Sequence, residues 1–414
     1  MRVLHTSDWH LGRTLEGRQR LPEQEQFLDQ LCAIASSEDV DIVIVAGDVF
    51  DSSNPPAAAE ELYYDGLERL SAGGKRGVVV IAGNHDSPER IRAANPLAAK
   101  HGISLVGYPG EDLGPGGPDG GARRIRTGPG WMEIASPRME ETVLVVTLAY
   151  PSEARLNEVL SESLADRSLQ AAYSDRIADL IQRCLTSGAG CGPKIVAGHL
   201  FTAGGRESDS ERQIQLGGAF VVHPQAFACG ANYVALGHLH RPQAVSDMEI
   251  CRYSGSPLSY SFSEAGQQKE VVVVDIPASR TAAQPLVKPI RLTCGKPLKK
   301  WAPRTYEEAL VWCEDPRNRD SWVDLEIVRD QPLSASEVSA LRSAHPGIVN
   351  IRWRGTLKPL SGEEKRISEM PLIERFKLFC QRAGAEASQE LLDLFLELIS
   401  EDRKNYGAMS IGRS

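Results

Sequence analysis

Five short apolar runs in this chain end in the same way. RVLHTS runs into Asp8-Trp9-His10, DIVIVA into Gly47-Asp48-Val49-Phe50-Asp51, and VVVIA into Gly83-Asn84-His85-Asp86. KIVA runs into Gly198-His199, and YVAL into Gly237-His238-Leu239-His240. Runs this short and this rich in Val and Ile read as buried strands. Helical patterns lie between them. Residues 22–37 place Phe27, Leu28, Leu31 and Ile34 at helical spacing, a second helix is expected near 57–71, and Ser87-Pro88 opens a third, with serine as N-cap and proline in the first turn. Alternating strand and helix predicts an α/β domain with a largely parallel central sheet. The carboxyl ends of strands in such a sheet converge on one crevice, so motifs far apart in sequence are expected at one place. The glycine ahead of Asp48, Asn84, His199 and His238 lets the backbone turn there and approach a neighbour without a Cβ clash.

With 414 residues the chain is too long for one ordinary core and is expected to form two or three domains. Residues 108–121 are a Gly/Pro-rich loop with little ability to order itself. Further strands are expected at 131–136, 143–149, 194–198, 233–237, 249–254 and 269–275. Residues 277–288 mark a boundary. Beyond it a smaller unit reads as strand 289–293, helix 305–314, strand 321–328, helix 334–344 and strand 348–354. Both of its helices open with a capping box, Thr305 with Glu308 and Ser334 with Glu337. Two last helical patterns cover 371–383 and 388–403, and there is no internal repeat.

The residue types in the five motifs fit a pair of divalent cations. Asp8 and His10 stand two apart, which puts both side chains on one side of an extended segment, and His238 and His240 repeat that spacing. Asp48 has two carboxylate oxygens with which to bridge, and Asn84 adds a neutral carbonyl. Mixed His, Asp and Asn donors suit manganese, iron or zinc better than magnesium or calcium, which prefer all-oxygen shells. An isolated histidine after a strand is ordinarily just packed or exposed. Here, however, five of the nine histidines fall inside the motifs, while His5, His101, His223 and His345 lack such a setting and are taken as structural or solvated.

Composition narrows the class. Apolar residues make up 42 % and charged residues 24 %, as in a globular chain, and no stretch approaches the roughly 18–20 apolar residues of a membrane span. The opening MRVLHTSDWH reads as neither a signal nor a transit peptide. The eight cysteines are scattered with no CxxC pair, which is the pattern of reduced thiols in a cytosolic protein. A net charge of −9 weighs against a stand-alone nucleic-acid binder. There is no GxxxxGK[ST] loop, so any ATP dependence must come from a partner.

The series DWH, GDVFD, GNHD, GH and GHLH resembles that of the calcineurin-like metallophosphoesterases. The fuller strings HTSDWHLG, VAGDVFDSSNPP, AGNHDSPER, AGHL, ALGHLHRPQ and YSGSPLSYSF resemble the bacterial SbcD family, the nuclease components of SbcCD complexes and relatives of the Mre nucleases. The likeness follows the whole chain in order and is densest over 1–110 and 195–265. It implies an α/β fold, a metallophosphoesterase β-sandwich flanked by helices, with a small α+β capping domain and a C-terminal helical segment. The implied divisions are a nuclease domain at 1–276, a DNA-binding cap at 285–356, and helices at 366–414 that dock on the coiled coil of a partner ATPase. Within 388–403 the docking face would be Leu391, Leu392, Leu394, Phe395, Leu396, Leu398 and Ile399.

The resemblance also implies metal ligation by Asp8, His10, Asp48, Asn84, His199, His238 and His240, with Asp48 bridging. His85 would act on the leaving oxygen and Asp86 would orient it. Archaeal relatives carry a second active-site histidine right after the GDxF segment; Asp51 stands there in this chain, so none is carried over. The implied function is a two-metal phosphodiesterase with manganese, a double-strand exonuclease and single-strand or hairpin endonuclease in DNA repair, replication and recombination. Its implied partners are DNA, an SbcC-like ATPase and a second copy of itself within a heterotetramer, with no membrane and a cytoplasmic, nucleoid-associated location. The alternative on the same residues is a phosphatase or small phosphodiesterase, which would need neither the cap nor the apolar tail of 285–414. Arg13, Arg18, Arg20, Arg206, Arg212 and Arg241 flank the motifs as candidate phosphate contacts, and the bound cations would offset the acidic net charge locally.

Overall fold

The computed structural model describes residues 1–152, 166–188, 192–211, 220–278, 283–329, 331–354, 372–382 and 392. Two sheets form its centre. In the first, β1 (Arg2–Thr6), β2 (Ile42–Ala46), β3 (Gly77–Ile81) and β4 (Ile103–Val106) run parallel. The second has seven strands. Its parallel centre is β7 (Val143–Leu148), β8 (Lys194–His199), β11 (Tyr233–Gly237) and β13 (Met248–Tyr253). At its edges β5 (Arg123–Gly128), β6 (Trp131–Ala135) and β12 (Gln243–Val245) pair antiparallel. Between β8 and β11 in the chain, the short strands β9 (Phe201–Thr202) and β10 (Val221–Val222) pair with each other. The first sheet is completed by antiparallel β14 (Glu270–Asp275) and β15 (Leu286–Arg291).

The arrangement differs from a single parallel sheet because the central strands of the second sheet have two apolar faces that need two different partners. Along β8, Ile195 and Ala197 enter the core shared with the first sheet, whereas Val196 enters the core under the helix Asp166–Ser187. Along β11, Tyr233 and Ala235 face the first core, and Val234 and Leu236 the second. Period-two alternation of this kind divides an all-apolar run between opposite layers. The helices Leu21–Ser37 and Ala57–Ser71 bring Phe27, Leu28, Leu31, Tyr63 and Leu67 to the first core. The result is a β-sandwich flanked by helices.

The strand expected at 289–293 as the start of the smaller unit is instead β15, which forms a hairpin with β14 and extends the first sheet. The smaller unit begins its own sheet later, with β16 (Leu298–Trp301), β17 (Trp322–Val328) and β18 (Ile348–Arg354) all parallel. The helices Tyr306–Glu314 and Ala335–Ala344 make the crossovers and cover a small core of Ala309, Cys313, Val323, Leu325, Ile327, Leu341 and Ile348. Ser334 and Glu337 form the expected capping box; Thr305 caps its helix through the hydroxyl, but Glu308 accepts from the Arg304 amide at 2.8 Å instead of completing the box. The unit meets the sandwich through Leu15, Phe262 and Leu298, and through Trp322 Nε1, which donates to Glu23 Oε1 at 2.9 Å. The loop 108–121 is more tightly held than its composition suggests. Glu111 accepts from the amides of Gly107 and Tyr108 and pairs with Arg92, and Arg124 donates to Gly114 O.

Residues 356–414 form a separate unit, of which the helix Leu372–Arg382 is described, with Ile373 and Glu374 exposed and Cys380 buried. The helical pattern 388–403 lies outside the described residues, apart from Leu392, which is buried. Arg212 also lies outside them. Among the described residues no helix is long and apolar enough to cross a membrane.

Candidate metal centre

The five motifs do meet, at the carboxyl ends of strands from both sheets: β1, β2 and β3 on one side, β8 and β11 on the other. Glycines allow the approach. A Cβ on Gly237 would lie 1.8 Å from Ala46 O, and one on Gly83 would lie 2.1 Å from Asp48 Oδ1. At Gly198 the added atom would sit 3.4 Å from Leu236 Cδ2, an ordinary contact, so sterics do not demand glycine there. The backbone is strained where the donors sit. Asp8, His10, Asp48 and His238 have φ of 53°, 45°, 49° and 111°, in the left-handed region that side-chain-bearing residues avoid at roughly 1–3 kcal/mol each. The surrounding cores hold them there.

Two triads of buried donors result, Asp8 with His10 and His240, and Asp48 with His199 and His238. His10 Nε2 and His240 Nε2 lie 3.0 Å apart. His199 Nε2 and His238 Nδ1 lie 2.8 and 3.2 Å from Asn84 Oδ1. Asp48 Oδ2 stands between the triads, 3.7 Å from His10 Nε2 and 3.5 Å from His199 Nε2, while its Oδ1 accepts from the His85 amide at 2.9 Å. Imidazole nitrogens and carboxylate oxygens converging in this way, buried to 2 % exposure or less, make an arrangement that a dication in each triad would satisfy.

Protonation in the metal-free centre follows from burial and charge. Burial holds His10 and His238 well below the ordinary imidazole range. Burial also acts against a charged His199, but the Asp48 carboxylate outweighs it and lifts that imidazole to about 9. Burial pushes Asp8 up to about 6 against the pull of His199 and His240. A proton on His199 thus partly neutralises Asp48 in a site suited to a cation of higher charge.

The candidate ligand rings are oriented from behind. His199 Nδ1 donates to Ala46 O at 2.8 Å, which leaves Nε2 for ligation. His240 Nδ1 lies 2.6 Å from Ser210 Oγ, which donates to Glu264 Oε1 at 2.5 Å; Lys269 Nζ holds Glu264 Oε2 at 2.5 Å and His240 O at 2.9 Å. Burial disfavours the Glu264 charge, but Lys269 and His240 hold its carboxyl far below the usual range. An ionised Glu264 can only accept, so the serine proton goes to it and the imidazole must donate to the serine. Sequence reasoning missed this chain of contacts. Its one local signal, Ser261 three residues before Glu264, reads as a capping box, and that box is also present.

His85 Nδ1 rests on Asp51 O at 2.7 Å, and its Nε2 has no hydrogen-bond partner among the described residues. The His85 and His10 rings meet edge to face with centroids 4.8 Å apart. Asp86 lies behind the site, accepting from the amides of Gly83, Val49 and Phe50 at 2.8, 3.1 and 2.9 Å, so its carboxylate ties the GNHD loop to the GDVFD loop. Asp51, to which no role was assigned from sequence, supplies the carbonyl that orients His85, and its carboxylate lies 3.5 Å from Arg13. Arg20 is buried in a bidentate pair with Glu23 at 2.6 and 2.9 Å, which makes it a structural residue rather than a phosphate contact. His5 and His345 are structural as well: His5 joins the sheets through Tyr233 Oη and Leu236 O, and His345 stacks on Trp312.

Residues 1–242 match the family model of the calcineurin-like phosphoesterases. The chain is 43 % identical to the SbcD component of the nuclease SbcCD of Bacillus subtilis, over 97 % of this chain and 98 % of that protein. It belongs to the SbcD family of calcineurin-like phosphoesterases. Other SbcD proteins are 31 % identical in Escherichia coli K12, over 95 % of this chain and 97 % of that one, and 32 % identical in Rhodobacter capsulatus, over 86 % of each. A solved dimetal phosphatase from Danio rerio covers 69 % of this chain and 98 % of its own at 11 % identity and a TM-score of 0.32, too slight a likeness to carry an argument.

Proposed function

We propose that this chain is the metal-dependent nuclease component of an SbcCD-type complex, hydrolysing DNA phosphodiester bonds as a double-strand exonuclease and a single-strand or hairpin endonuclease in DNA repair, replication and recombination. The observation that carries this is the pair of buried donor triads joined at Asp48 Oδ2, in a chain whose near full-length relatives are named as the SbcD part of the nuclease SbcCD. Asp8, His10 and His240 would hold one cation and Asn84, His199 and His238 the other, with Asp48 shared. The donor chemistry favours manganese. Two such cations, when bound, polarise the phosphate and ease deprotonation of an attacking water.

His85 is the proposed proton donor to the leaving oxygen. Asp51 O fixes its Nδ1 proton, so Nε2 is the atom that transfers. Asp86 takes part as a positioning residue, since it fixes the backbone just before Asn84 and just after Asp48. In this reading 1–276 is the nuclease domain, 285–356 the cap over DNA, and 366–414 the segment that docks on the coiled coil of an SbcC-like ATPase. The active form is a heterotetramer containing two copies of this chain, in the cytoplasm at the nucleoid. Manganese-dependent digestion of an end-labelled duplex, with and without the ATPase, tests the reading. Processive, ATP-stimulated shortening is expected. Efficient hydrolysis of phosphomonoesters with intact DNA would favour the phosphatase instead.

A further inference from the structure

Where the cap meets the sandwich, a cavity of about 500 Å³ carries Arg20, Lys269, Arg291, Lys296 and Lys299 on its wall, and neither an aspartate nor a glutamate. Through Leu298 and Lys299 it continues into a second hollow of about 400 Å³, lined by Phe262, Lys300, Trp301 and Trp312, again with no carboxylate. This is unusual in a chain of net charge −9. The hollow beside His85, by contrast, is lined by Asp51, Asp86 and Glu89 and shares no residue with the seam. The seam backs onto the metal centre rather than forming it, since Lys269 on its wall donates to His240 O at 2.9 Å.

The cations are not all engaged. Arg20 is neutralised by Glu23 and Lys269 by Glu264. Lys296 pairs with the exposed Asp320 at 3.3 Å and lies 5.3 Å over the Trp322 ring, and Lys299 contacts the neutral Asn318 Oδ1 at 3.0 Å and lies 5.5 Å over the Trp312 ring. Arg291 and Lys300 are exposed and have no ion-pair partner among the described residues. Beside them Trp301 and Trp312 stack at 5.4 Å and 17°, both half-buried; Trp312 also stacks on His345, so Trp301 stands at the end of the stack among the described residues, and its Nε1 has no hydrogen-bond partner among them. Cations sharing a wall without carboxylates would attract any polyanion. Aromatic faces next to them suit one kind, a single nucleic-acid strand, whose unpaired bases stack while its phosphates follow the charges. A duplex stacks its bases internally and offers no such face.

We propose that this seam binds single-stranded DNA, with phosphates along Arg291, Lys296, Lys299 and Lys300 and a base against Trp301 at the end of the aromatic stack. The inference rests on the nuclease reading and adds to it a second contact for an unpaired strand behind the catalytic centre.

The test uses the full chain without metal, so that nothing is cut, and follows a fluorescent oligothymidylate and a duplex of equal length by anisotropy over a salt series. Reversing two charges in Arg291→Glu/Lys300→Glu should weaken oligothymidylate binding at least about tenfold and make its logarithmic salt slope shallower by about 1.4, given ~0.7 per single-strand phosphate. Duplex binding should change less than about twofold. Trp301→Leu should weaken the oligothymidylate about 5- to 150-fold, Trp301→Phe should restore it, and melting curves check that the cap remains folded. Hydrolysis of bis-p-nitrophenyl phosphate with manganese should be unchanged in all variants. Unchanged affinity and salt slope in the charge-reversed variant would overturn the proposal, as would competition by polyglutamate as effective as that by oligothymidylate. If the parent chain cuts DNA but the variants bind like the parent, the seam alone fails. If the parent hydrolyses the small ester yet neither binds nor cuts DNA, the nuclease reading fails with it.

Discussion

The two halves of the metal centre are built from different materials. In the half of Asp48, His199 and His238, the orienting partner of His199 is the main-chain carbonyl of Ala46, with Gly47 flat against the ring. In the half of Asp8, His10 and His240, the ring is set by a chain of side chains, Ser210, Glu264 and Lys269. A carbonyl in a buried strand cannot be removed by substitution, whereas a serine–glutamate–lysine chain can be cut at any link. The first half is therefore rigid by backbone, and the second can be adjusted one residue at a time. Both depend on Asp48.

That dependence sets the largest expected effect. Asp48→Ala should empty both halves, so metal content falls from two to none and DNA cleavage drops by about 10³-fold or more, the loss of a contribution of several kcal/mol. Elemental analysis and single-turnover cleavage measure the two together. A variant that kept two metals and the normal rate would mean that Asp48 is not the shared ligand. His85→Ala follows, with a loss of about 10²–10⁴-fold in rate while both metals and DNA binding persist, because its ring lies against His10 with Nε2 unpartnered among the described residues, yet it belongs to neither buried triad. Loss of metal in that variant would move His85 into the ligand set, as its proximity to His10 and Asp51 allows.

Cutting the side-chain relay should separate the halves. Ser210→Ala leaves His240 Nδ1 without its acceptor and Glu264 with one fewer donor, both buried. Loss of an outer partner of this kind weakens a metal about 10–100-fold. Manganese titration by calorimetry should therefore show one weakened site and one unchanged, and Ser210→Thr should restore the first. Equal weakening of both sites would show that the halves are not independent.

How much of this is legible in the sequence depends on whether a residue announces itself locally. The strands are legible because each is a short apolar run, and the donors because each follows such a run directly. The cap helices are legible from Thr305 and Ser334. The two-sheet arrangement is legible from the family resemblance and not from the residue pattern, because an all-apolar run such as KIVA does not say that Ile195 and Val196 face different cores. The edge strand β15 reads in sequence as part of the smaller unit because its partner, β14, lies before a stretch that looks like a linker. The role of Ser210, Glu264 and Lys269 is invisible because the local signals they carry, a capping box at Glu264 and a strand start at Lys269, point elsewhere, and only the fold brings them behind His240. Asp86 is legible as a member of GNHD, but its contacts with backbone amides on two loops are a property of the packing.

The last expectation concerns what keeps the halves in register. His5 lies on β1 ahead of Asp8, and its ring reaches Tyr233 Oη at 2.9 Å and Leu236 O at 3.2 Å on β11, ahead of His238. It is fully buried, and burial lowers its pKa to about 3 against the ordinary 6.5. Above pH 6.5 the imidazole is neutral in both folded and unfolded chains, and the contribution of the buried ring is fully present. As pH falls below 6.5, the unfolded chain takes up a proton that the folded chain refuses until about pH 3, so stability is lost across that window at about 1.4 kcal/mol per pH unit. His5→Gln should leave cleavage at neutral pH nearly unchanged and lower stability there by about 1–3 kcal/mol through one lost buried hydrogen bond. Between pH 7 and pH 5, however, the variant should lose about 2 kcal/mol less than the parent, because it has no proton to take up on unfolding. Urea unfolding of the metal-free protein at the two pH values measures the difference, and the titrating ligands of the metal centre cancel because both chains share them. An equal loss in parent and variant would mean that His5 takes up its proton in the fold as readily as in the unfolded chain, so that burial does not hold the ring neutral.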